Sequence, residues 1–317
     1  MTARPIAVER IADAARVIHP DFRDTPVRHS PALDEAVGVV VHLKDESASP
    51  IGSFKGRGTD YLVATGIEPG EPLVCASAGN FGQGLARSGT ARGHKVTVFA
   101  ATTASPLKIE RMRALGADVR LEGADFDAAN ATARRFGRET GARYIEDCDI
   151  PEVAEGAGTI ARELTEAGVA FDTIFVPVGG GALANGIGLW LRHARPGCKV
   201  IGVSAVGAPA LYRSWHEHRL ITLDSVDTIA DGIAVREPVA FAMQHLARAL
   251  DEFVLVSDAE MLAAMRLVQS TMGLAIEPAS ASVVAAMLQR KGRLPAAVAA
   301  PITGGNLTAE QRKTWLS

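Results

Sequence analysis

Short runs of β-branched and apolar residues alternate with longer segments rich in Ala, Leu and Arg along most of the chain. Runs of the first kind predict strands, and the segments between them predict connecting helices. The strands predicted in this way are residues 73–76, 95–100, 118–121, 143–146, 173–178, 199–204 and 253–257. This alternation is typical of an α/β protein with parallel sheets.

Helix starts are marked by capping residues at two points in the sequence. Ser105 followed by Pro106 predicts an N-cap and a first helical position, and Ser257 with Glu260 predicts a capping box. Residues 1–18 interleave charged and apolar side chains, which predicts an amphipathic helix without the apolar core of a signal peptide. No run approaches the roughly 18 apolar residues of a membrane span. We therefore expect a cytoplasmic protein that does not insert into a membrane.

The composition favours a globular protein that acts on small molecules. A chain of 317 residues with 47% hydrophobic residues is long enough for two lobes. The 33 basic and 36 acidic residues give a net charge of -3, so nothing indicates binding to nucleic acid or to an anionic membrane. Cys75, Cys148 and Cys198 are widely spaced and are expected to be free thiols. His216 and His218 lie close together, but the HExxH pattern is absent, so no metal site is expected.

Three glycine-bearing segments follow predicted strands, at the place where open α/β sheets bind ligands. They are residues 77–84 (SAGNFGQG), 178–186 (VGGGALANG) and 302–306 (ITGGN). Backbone N–H groups left free at a helix start can bind a carboxylate in the first segment and a phosphate in the second. A plain tight turn is the alternative for the second and third segments.

The second segment also fits a dinucleotide fingerprint, read as Gly179-x-Gly181-x-x-Ala184. That fingerprint needs an acidic residue at the end of the next strand to bind the ribose. The chain has Ser204 and Ala205 there, so the sequence argues against an oxidoreductase.

Lys55 stands out because it follows Gly52 and Ser53, which can start a helix. In the first turn of a helix the dipole disfavours an ammonium group, and burial acts in the same direction. A lysine with a favoured neutral amine can attack an aldehyde.

Together these segments resemble the serine/threonine dehydratase family of fold-type II pyridoxal phosphate enzymes. SFK with Lys55, SAGNFGQG, VGGGALANG, TIADGIAV at 228–235, EPASA at 277–281 and TGGN at 303–306 occur in the order of that family. The resemblance runs through almost the whole chain.

The resemblance implies a role for each of these segments. Lys55 would hold pyridoxal 5'-phosphate as a Schiff base and act as the catalytic base. The substrate carboxylate would be bound by Ser77, Ala78, Gly79 and Asn80. The residues expected at the cofactor are Phe54 beside its ring, Asn80 at the ring hydroxyl, Gly179, Gly180, Gly181, Ala182 and Leu183 at the phosphate, Thr303 at the pyridine nitrogen, and Gly232 and Glu277.

The implied fold is the tryptophan synthase β-like arrangement, in which two open twisted α/β lobes hold the cofactor between them. Residues 1–70 and 150–317 would form the large domain and residues 71–149 the small domain. Homodimers are usual in this family. Residues 204 and 210 carry carboxylates in relatives that bind a divalent cation, but here they are Ser204 and Ala210, so no metal is expected.

The implied reaction is dehydration of a small L-β-hydroxy amino acid, such as threonine or serine, to a 2-oxo acid and ammonia. A hydroxyl at Thr303 leaves the cofactor nitrogen neutral, which favours elimination over transamination. Ala78 replaces the serine that the racemase branch needs, while Phe81 and Ala182 also depart from the family pattern. The alternatives are β-replacement, a threonine synthase-type reaction, an amino acid racemase, and a protein that binds the cofactor without catalysis.

Overall fold

The structure is a computed structural model that describes residues 4–317. Helix α1, Val8–Val17, is amphipathic and buries Ile11 and Ala14, so the amphipathic helix expected over residues 1–18 is present, but within the described residues it begins only at Val8. Residues 1–3 of the predicted N-terminal helix lie outside the described residues.

A six-stranded sheet forms the larger of the two sheets in the described residues. In spatial order its strands are Val27–Arg28 (β1), Val40–Asp45 (β2), Ala297–Ile302 (β10), Thr173–Pro177 (β7), Lys199–Ala205 (β8) and Glu252–Val256 (β9). The short edge strand β1 is antiparallel to β2, and the other pairs are parallel. Because both faces are covered, β7 is buried along its whole length and reads as an unbroken apolar run.

A separate four-stranded sheet contains the strands formed by the middle of the chain. Its spatial order is Asp118–Leu121 (β5), Val96–Ala100 (β4), Leu73–Ala76 (β3) and Arg143–Tyr144 (β6). Every pair in this sheet is parallel. The two sheets therefore contribute two sets of carboxyl-terminal loops, which is where α/β sheets hold ligands.

Helices connect the strands on both faces of the sheets. The remaining helices are Pro31–Val37 (α2), Lys55–Gly66 (α3), Asn80–Ala91 (α4), Pro106–Ala114 (α5), Phe126–Thr140 (α6), Pro151–Glu166 (α7), Ala182–Ala194 (α8), Ala210–Glu217 (α9), Ala240–Ala249 (α10), Asp258–Met272 (α11), Pro278–Gln289 (α12) and Ala309–Trp315 (α13). Helices α7 and α8 approach so closely that a Cβ on Gly186 would lie 2.0 Å from the carbonyl oxygen of Ala154. None of the helices within residues 4–317 is long and apolar enough to cross a bilayer.

The α/β class and the predicted strands are confirmed. The strands at 73–76 and 118–121 match the prediction at both ends, and the other five agree to within two residues. The capping box of Ser257 and Glu260 is present. Ser105 is the N-cap residue of α5 and Pro106 is its first residue, as predicted, although the Ser105 side chain makes no capping hydrogen bond. Cys75, Cys148 and Cys198 are free thiols.

A buried ionic network lies directly behind the start of α3. Nε of Arg57 donates to Oε2 of Glu46 over 2.7 Å, and Nη2 donates to Oε2 of Glu163 over 2.9 Å. Thr25 and Thr159 add further hydrogen bonds to the same guanidinium. A fully buried arginine is tolerated only when its charge and donors are matched in this way. The network fixes the first turn of α3, where Lys55 lies two residues before Arg57.

Candidate active site

Lys55 is the first residue of α3, with Phe54 as the N-cap, so the prediction that it lies in the first turn is confirmed. Its side chain is 18% exposed. Nζ lies 5.0 Å from the centre of the Phe54 ring and 5.7 Å from that of Phe81. The Lys55 amine is thus partly buried with two aromatic rings beside it, and these rings favour its protonated form.

The loop before Lys55 is fastened to the loop that follows β10. The amide of Phe54 donates to the carbonyl of Thr303 over 3.0 Å, and the amide of Gly305 donates to the carbonyl of Gly52 over 3.0 Å. Gly52 has φ +63°, a conformation that favours glycine. Because β2 and β10 are parallel neighbours, their following loops meet at one edge of the sheet, which brings Lys55 and Thr303 together.

Thr303 is 6% exposed, and its hydroxyl is 2.9 Å from the hydroxyl of Ser280 at the start of α12. Ser280 also donates to the carbonyl of Gly304 over 2.9 Å and accepts from the amide of Gly304 over 2.8 Å. The orientation of Thr303 is therefore fixed by a buried residue of the EPASA segment that sequence reasoning left unassigned.

The glycine loop after β7 leads directly into α8. Gly181 is the N-cap residue with φ +100°, and Ala182 and Leu183 form the first turn, whose N–H groups have no carbonyl one turn earlier. A Cβ on Gly179 would lie 2.6 Å from the carbonyl oxygen of Gly232, so Gly232 closes one side of this loop. Free amides at a helix N-terminus bind phosphate.

The loop after β3 joins the small sheet to this site. The Ser77 hydroxyl accepts from the amides of Gly79 (3.2 Å) and Gly82 (3.0 Å), which holds the turn before α4. Ala78 and Gly79 are half-buried at the same turn. Ser77 is thus used to shape the loop, and the backbone amides of Ala78 and Asn80, which this turn does not use, remain as groups that can face a ligand.

Asn80 connects the two sheets through hydrogen bonds of its amide group. Its Nδ2 donates to Oε2 of Glu277 over 2.9 Å, and its Oδ1 accepts from Nδ2 of Asn306 over 2.8 Å. Burial raises the pKa of Glu277 to about 7, and the positive charge of Lys108 only partly opposes this effect. Asn80 and Glu277, which sequence reasoning placed in one site, are therefore in direct contact.

Lys108 of α5 was not identified from the sequence. It is 8% exposed and forms an ion pair with Asp231, a neighbour of Gly232 in the large-sheet part of the chain. Burial lowers the pKa of Lys108, but the charges of Asp231 and Glu277 outweigh it, so the net direction is upward. Its Nζ lies 3.8 Å from where a Cβ on Gly79 would be. The predicted carboxylate loop therefore has a cation beside it.

Asp147 and Cys148 also lie at the site, although no sequence motif predicted them. Asp147 follows β6 and forms an ion pair with Lys55. A Cβ on Gly180 would lie 1.8 Å from Sγ of Cys148, so this thiol packs directly against the glycine loop. Burial raises the pKa of Cys148. The pair of residues thus links Lys55 to the glycine loop.

The donor set fits a phosphorylated aldehyde. An amine for the aldehyde, a helix N-terminus for the phosphate and the Thr303 hydroxyl for a ring nitrogen are carried by loops that follow β2, β7 and β10, three adjacent strands. The Ser53 hydroxyl, two residues before Lys55, is buried without a hydrogen-bond partner among residues 4–317, so the site also holds a free donor.

The structure places Ser204 at the end of β8 and Ala210 at the start of α9. Within residues 4–317, no group of three or more His, Cys, Asp or Glu residues is arranged to hold a metal ion.

Comparison with known proteins agrees with this chemistry. Residues 18–304 match the family model described as pyridoxal-phosphate dependent enzyme. An L-threonine ammonia-lyase of Thermotoga maritima is 34% identical over 95% of this chain and 76% of its own length. Some other curated relatives are longer, and the chain spans about half of their length.

Solved structures share the fold as well, including a threonine deaminase and a serine racemase. The processed form of threonine deaminase isoform 2 from Solanum lycopersicum has a TM-score of 0.89 and 28% identity, covering 99% of this chain and 90% of that one. A serine racemase of maize has a TM-score of 0.91 and 25% identity, covering 97% of this chain and 96% of that one. These matches confirm the fold-type II architecture and the family expected from the sequence. The chain belongs to the pyridoxal-phosphate dependent enzymes, in the group that includes the threonine ammonia-lyases.

Proposed function

We propose that this enzyme is a lyase that dehydrates a small L-β-hydroxy amino acid, such as threonine or serine, to a 2-oxo acid and ammonia. The observation that carries the proposal is the meeting of Lys55, Thr303 and the glycine loop at one edge of the large sheet. The names of the relatives, which are threonine ammonia-lyases and deaminases, support the same reaction.

Pyridoxal phosphate, when bound, supplies an aldehyde for the substrate amine and a conjugated ring that accepts electrons from the α-carbon. Lys55 would hold the aldehyde, and its Nζ would take the α-proton once the substrate has displaced it. Phe54 would lie beside the ring and Asn80 at the ring hydroxyl. Gly179, Gly180, Gly181, Ala182 and Leu183 would bind the phosphate, with Gly232 closing the loop.

Thr303 supports elimination over other reactions of this cofactor. Its hydroxyl, oriented by Ser280, is a weak acid that leaves the ring nitrogen neutral. A neutral ring accepts electrons less well than a pyridinium, so charge on the α-carbon is better relieved by loss of the β-hydroxyl. Glu277 would act on this site through Asn80, which it orients.

The substrate carboxylate would bind at Ser77, Ala78, Gly79 and Asn80, where free amides at the start of α4 attract an anion. The ammonium of Lys108 lies beside this loop and adds a favourable charge. Phe81, buried beside Lys55, would give the pocket an apolar wall.

The proposed large domain is residues 1–70 and 150–317, and the proposed small domain is residues 71–149. This division is supported by the sheets, because the four strands of the smaller sheet lie between residues 73 and 144 and the others lie outside that range. A homodimer and a cytoplasmic location are further proposals that rest on the family resemblance and the sequence.

A panel of β-hydroxy amino acids with detection of 2-oxo acid and ammonia tests the reaction and the substrate class together. Serine, threonine, 3-hydroxyaspartate and a bulkier analogue should differ in kcat/KM. Oxo acid from none of them, with turnover restored by a thiol or other nucleophile, would favour β-replacement. The serine racemase neighbour makes racemisation the second candidate, and an excess of D-amino acid over oxo acid would favour it.

A further inference from the structure

Asp147 is a carboxylate in direct contact with the catalytic lysine. Its Oδ2 accepts from Nζ of Lys55, and the two residues come from different parts of the chain, the loop after β6 and the start of α3. The Asp147 side chain is 25% exposed, against 18% for Lys55, so this ion pair is shielded from bulk water. Partial burial of this kind makes the attraction stronger than that of a surface pair.

The second carboxylate oxygen is available to a ligand. Oδ1 of Asp147 is buried and has no hydrogen-bond partner within residues 4–317. A buried oxygen left unpaired costs free energy, unless a donor completes it. Because Oδ2 already contacts Nζ of Lys55, a donor bound to Oδ1 would lie close to Nζ. The substrate amine must arrive at this place to displace the lysine.

The negative charge of Asp147 acts on the surrounding groups. Burial is the largest cause that raises the pKa of the Cys75 and Cys148 thiols, and the negative charge of Asp147 is the second largest. Glu146 is occupied by an ion pair with Arg134, and Asp149 is exposed. Among these neighbours, Lys55 is the cation that Asp147 contacts.

We propose that Asp147 is a second catalytic residue of the reaction, whose carboxylate contacts Nζ of Lys55 and stabilises the proton that Lys55 takes from the substrate. This inference rests on the proposed function of Lys55 as the base. The α C–H bond breaks, a new N–H bond forms at Nζ, and the electron pair left on the substrate expels the β-hydroxyl. Summed over the reaction, the α-proton and the hydroxyl leave as water. Asp147 itself neither gains nor loses a bond to carbon.

Oδ1 of Asp147, the unpaired oxygen, also has a role in this proposal. A substrate amino group arrives as an ammonium and must lose a proton before it can attack a carbonyl carbon. Oδ1 of Asp147 is placed to accept a hydrogen bond from that ammonium while Oδ2 holds Lys55. The proton passes to solvent, and the ammonia released at the end of the reaction takes one up again as ammonium. One carboxylate then contacts both Nζ of Lys55 and the substrate nitrogen that would replace it at the aldehyde.

The first test is the variant Asp147→Asn in the cofactor-loaded enzyme. We expect kcat to fall by about 10²-fold with KM changed less than about threefold, in the range typical of acid–base groups. The kinetic isotope effect with α-deuterated substrate should rise, because proton removal becomes slower. Asp147→Glu should recover part of kcat. Asp149→Asn is the matched control, since it removes the same charge from an exposed neighbour and should leave kcat unchanged.

The second test uses the protein without cofactor and measures a property of Lys55 alone. At neutral pH, Lys55 of Asp147→Asn should react with an amine-selective acylating reagent severalfold faster than wild type, as quantified by peptide mass spectrometry. The reason is that the ammonium has lost its carboxylate partner. A variant that is merely misfolded would not combine a faster Lys55 with a slower turnover. Thermal unfolding of both proteins checks the fold.

The outcomes separate this inference from the proposed function. An unchanged kcat and an unchanged reactivity of Lys55 in Asp147→Asn would overturn the role of Asp147 alone. If wild type dehydrates no β-hydroxy amino acid, exchange of the α-proton of bound amino acids with deuterated water still reports on Lys55. That exchange should then be slower in Asp147→Asn, and an equal rate in both proteins would overturn the inference.

Discussion

Asn80 donates from Nδ2 to Oε2 of Glu277 over 2.9 Å, and only 4% of Glu277 is exposed. The contact joins the first residue of a helix in the small-sheet part of the chain to the N-cap residue of α12. Lys108 and Asp231 are the other charged groups that act on this carboxyl. The orientation of Asn80 therefore depends on a carboxyl group that burial drives toward its neutral form.

Glu277 should make stability fall as the pH rises. Its pKa in the folded protein is raised from 4.5 to about 7, so its stabilising contribution is complete below 4.5 and is lost as the pH rises through 7. The resulting decrease in the free energy of unfolding is of the order of 3 kcal/mol at most. Glu277→Gln keeps the shape and removes the titration. The difference in free energy of unfolding between wild type and variant, measured by urea from pH 4.5 to 8, should follow this course, and parallel curves would contradict it.

Removing the buried guanidinium of Arg57 should destabilise the fold. Arg57→Leu leaves Glu46 and Glu163 without their main partner, and breaking a buried pair in this way costs about 3–5 kcal/mol. Urea unfolding measures the loss. Arg135→Leu is a suitable control, since it removes an exposed pair 4.0 Å long and should cost about 0.5 kcal/mol or less. Equal losses in the two variants would show that the network contributes little.

Lys55→Ala should abolish the visible absorbance of the bound cofactor and the turnover of substrate. Lys55 is the lysine at the first turn of α3, beside Phe54, in the matching segment. Lys95→Ala, at an exposed position of the small-sheet part, should keep both properties. A Lys55→Ala protein that retains the absorbance band and the activity would mean that another lysine holds the cofactor.

A chelator should leave the activity unchanged. Divalent cations such as Mg²⁺ and Ca²⁺ need several oxygen ligands, and Ser204 and Ala210 provide no carboxylate at the two positions where the family resemblance implies one in cation-binding members. Initial rates before and after dialysis against EDTA provide the measurement. Activity that is lost on dialysis and regained with magnesium or calcium would refute the prediction.

Racemisation should be a minor reaction. Elimination needs one base and a leaving group, whereas racemisation also needs a proton donor on the opposite face of the α-carbon. Ala78 has no side-chain donor. With L-serine, chiral chromatography should find far more oxo acid than D-serine, and Ala78→Ser should raise the ratio of D-serine to oxo acid. A wild-type ratio already in favour of D-serine would remove the role given to Ala78.

The sequence predicts the architecture well where local patterns are strong. Strands β3 and β5 are bounded by turn residues and match their predicted ends. Strands β1 and β2 were not predicted, because β1 has two residues and β2 mixes His42, Lys44 and Asp45 with its apolar residues. Those polar residues are tolerated because Lys44 donates to the carbonyl of Thr25 and Asp45 caps the turn after the strand.

The glycine loops of the site are readable for the same reason. Each loop is rich in glycine and lies between the end of a strand and the start of a helix, so its pattern is local in the sequence. Asp147 and Lys108 have no such pattern, because their partners, Lys55 and Asp231, are distant in sequence and meet only in the folded chain. A lone charged residue in a sequence is ordinarily a solvated surface group. Their role at the site becomes visible only through tertiary contacts.

The pairing of β2 with β10 has a consequence for the order of folding. Asp45 is opposite Ile302 in this parallel pair, so two strands that are far apart in the sequence are neighbours inside the large sheet. Contacts between residues so far apart are slow to form, since a long loop must close before they yield any free energy. During synthesis strand β2 must wait until β10 has left the ribosome. The nascent protein therefore exposes the edge of β2 until then, which makes that edge a natural binding site for chaperones.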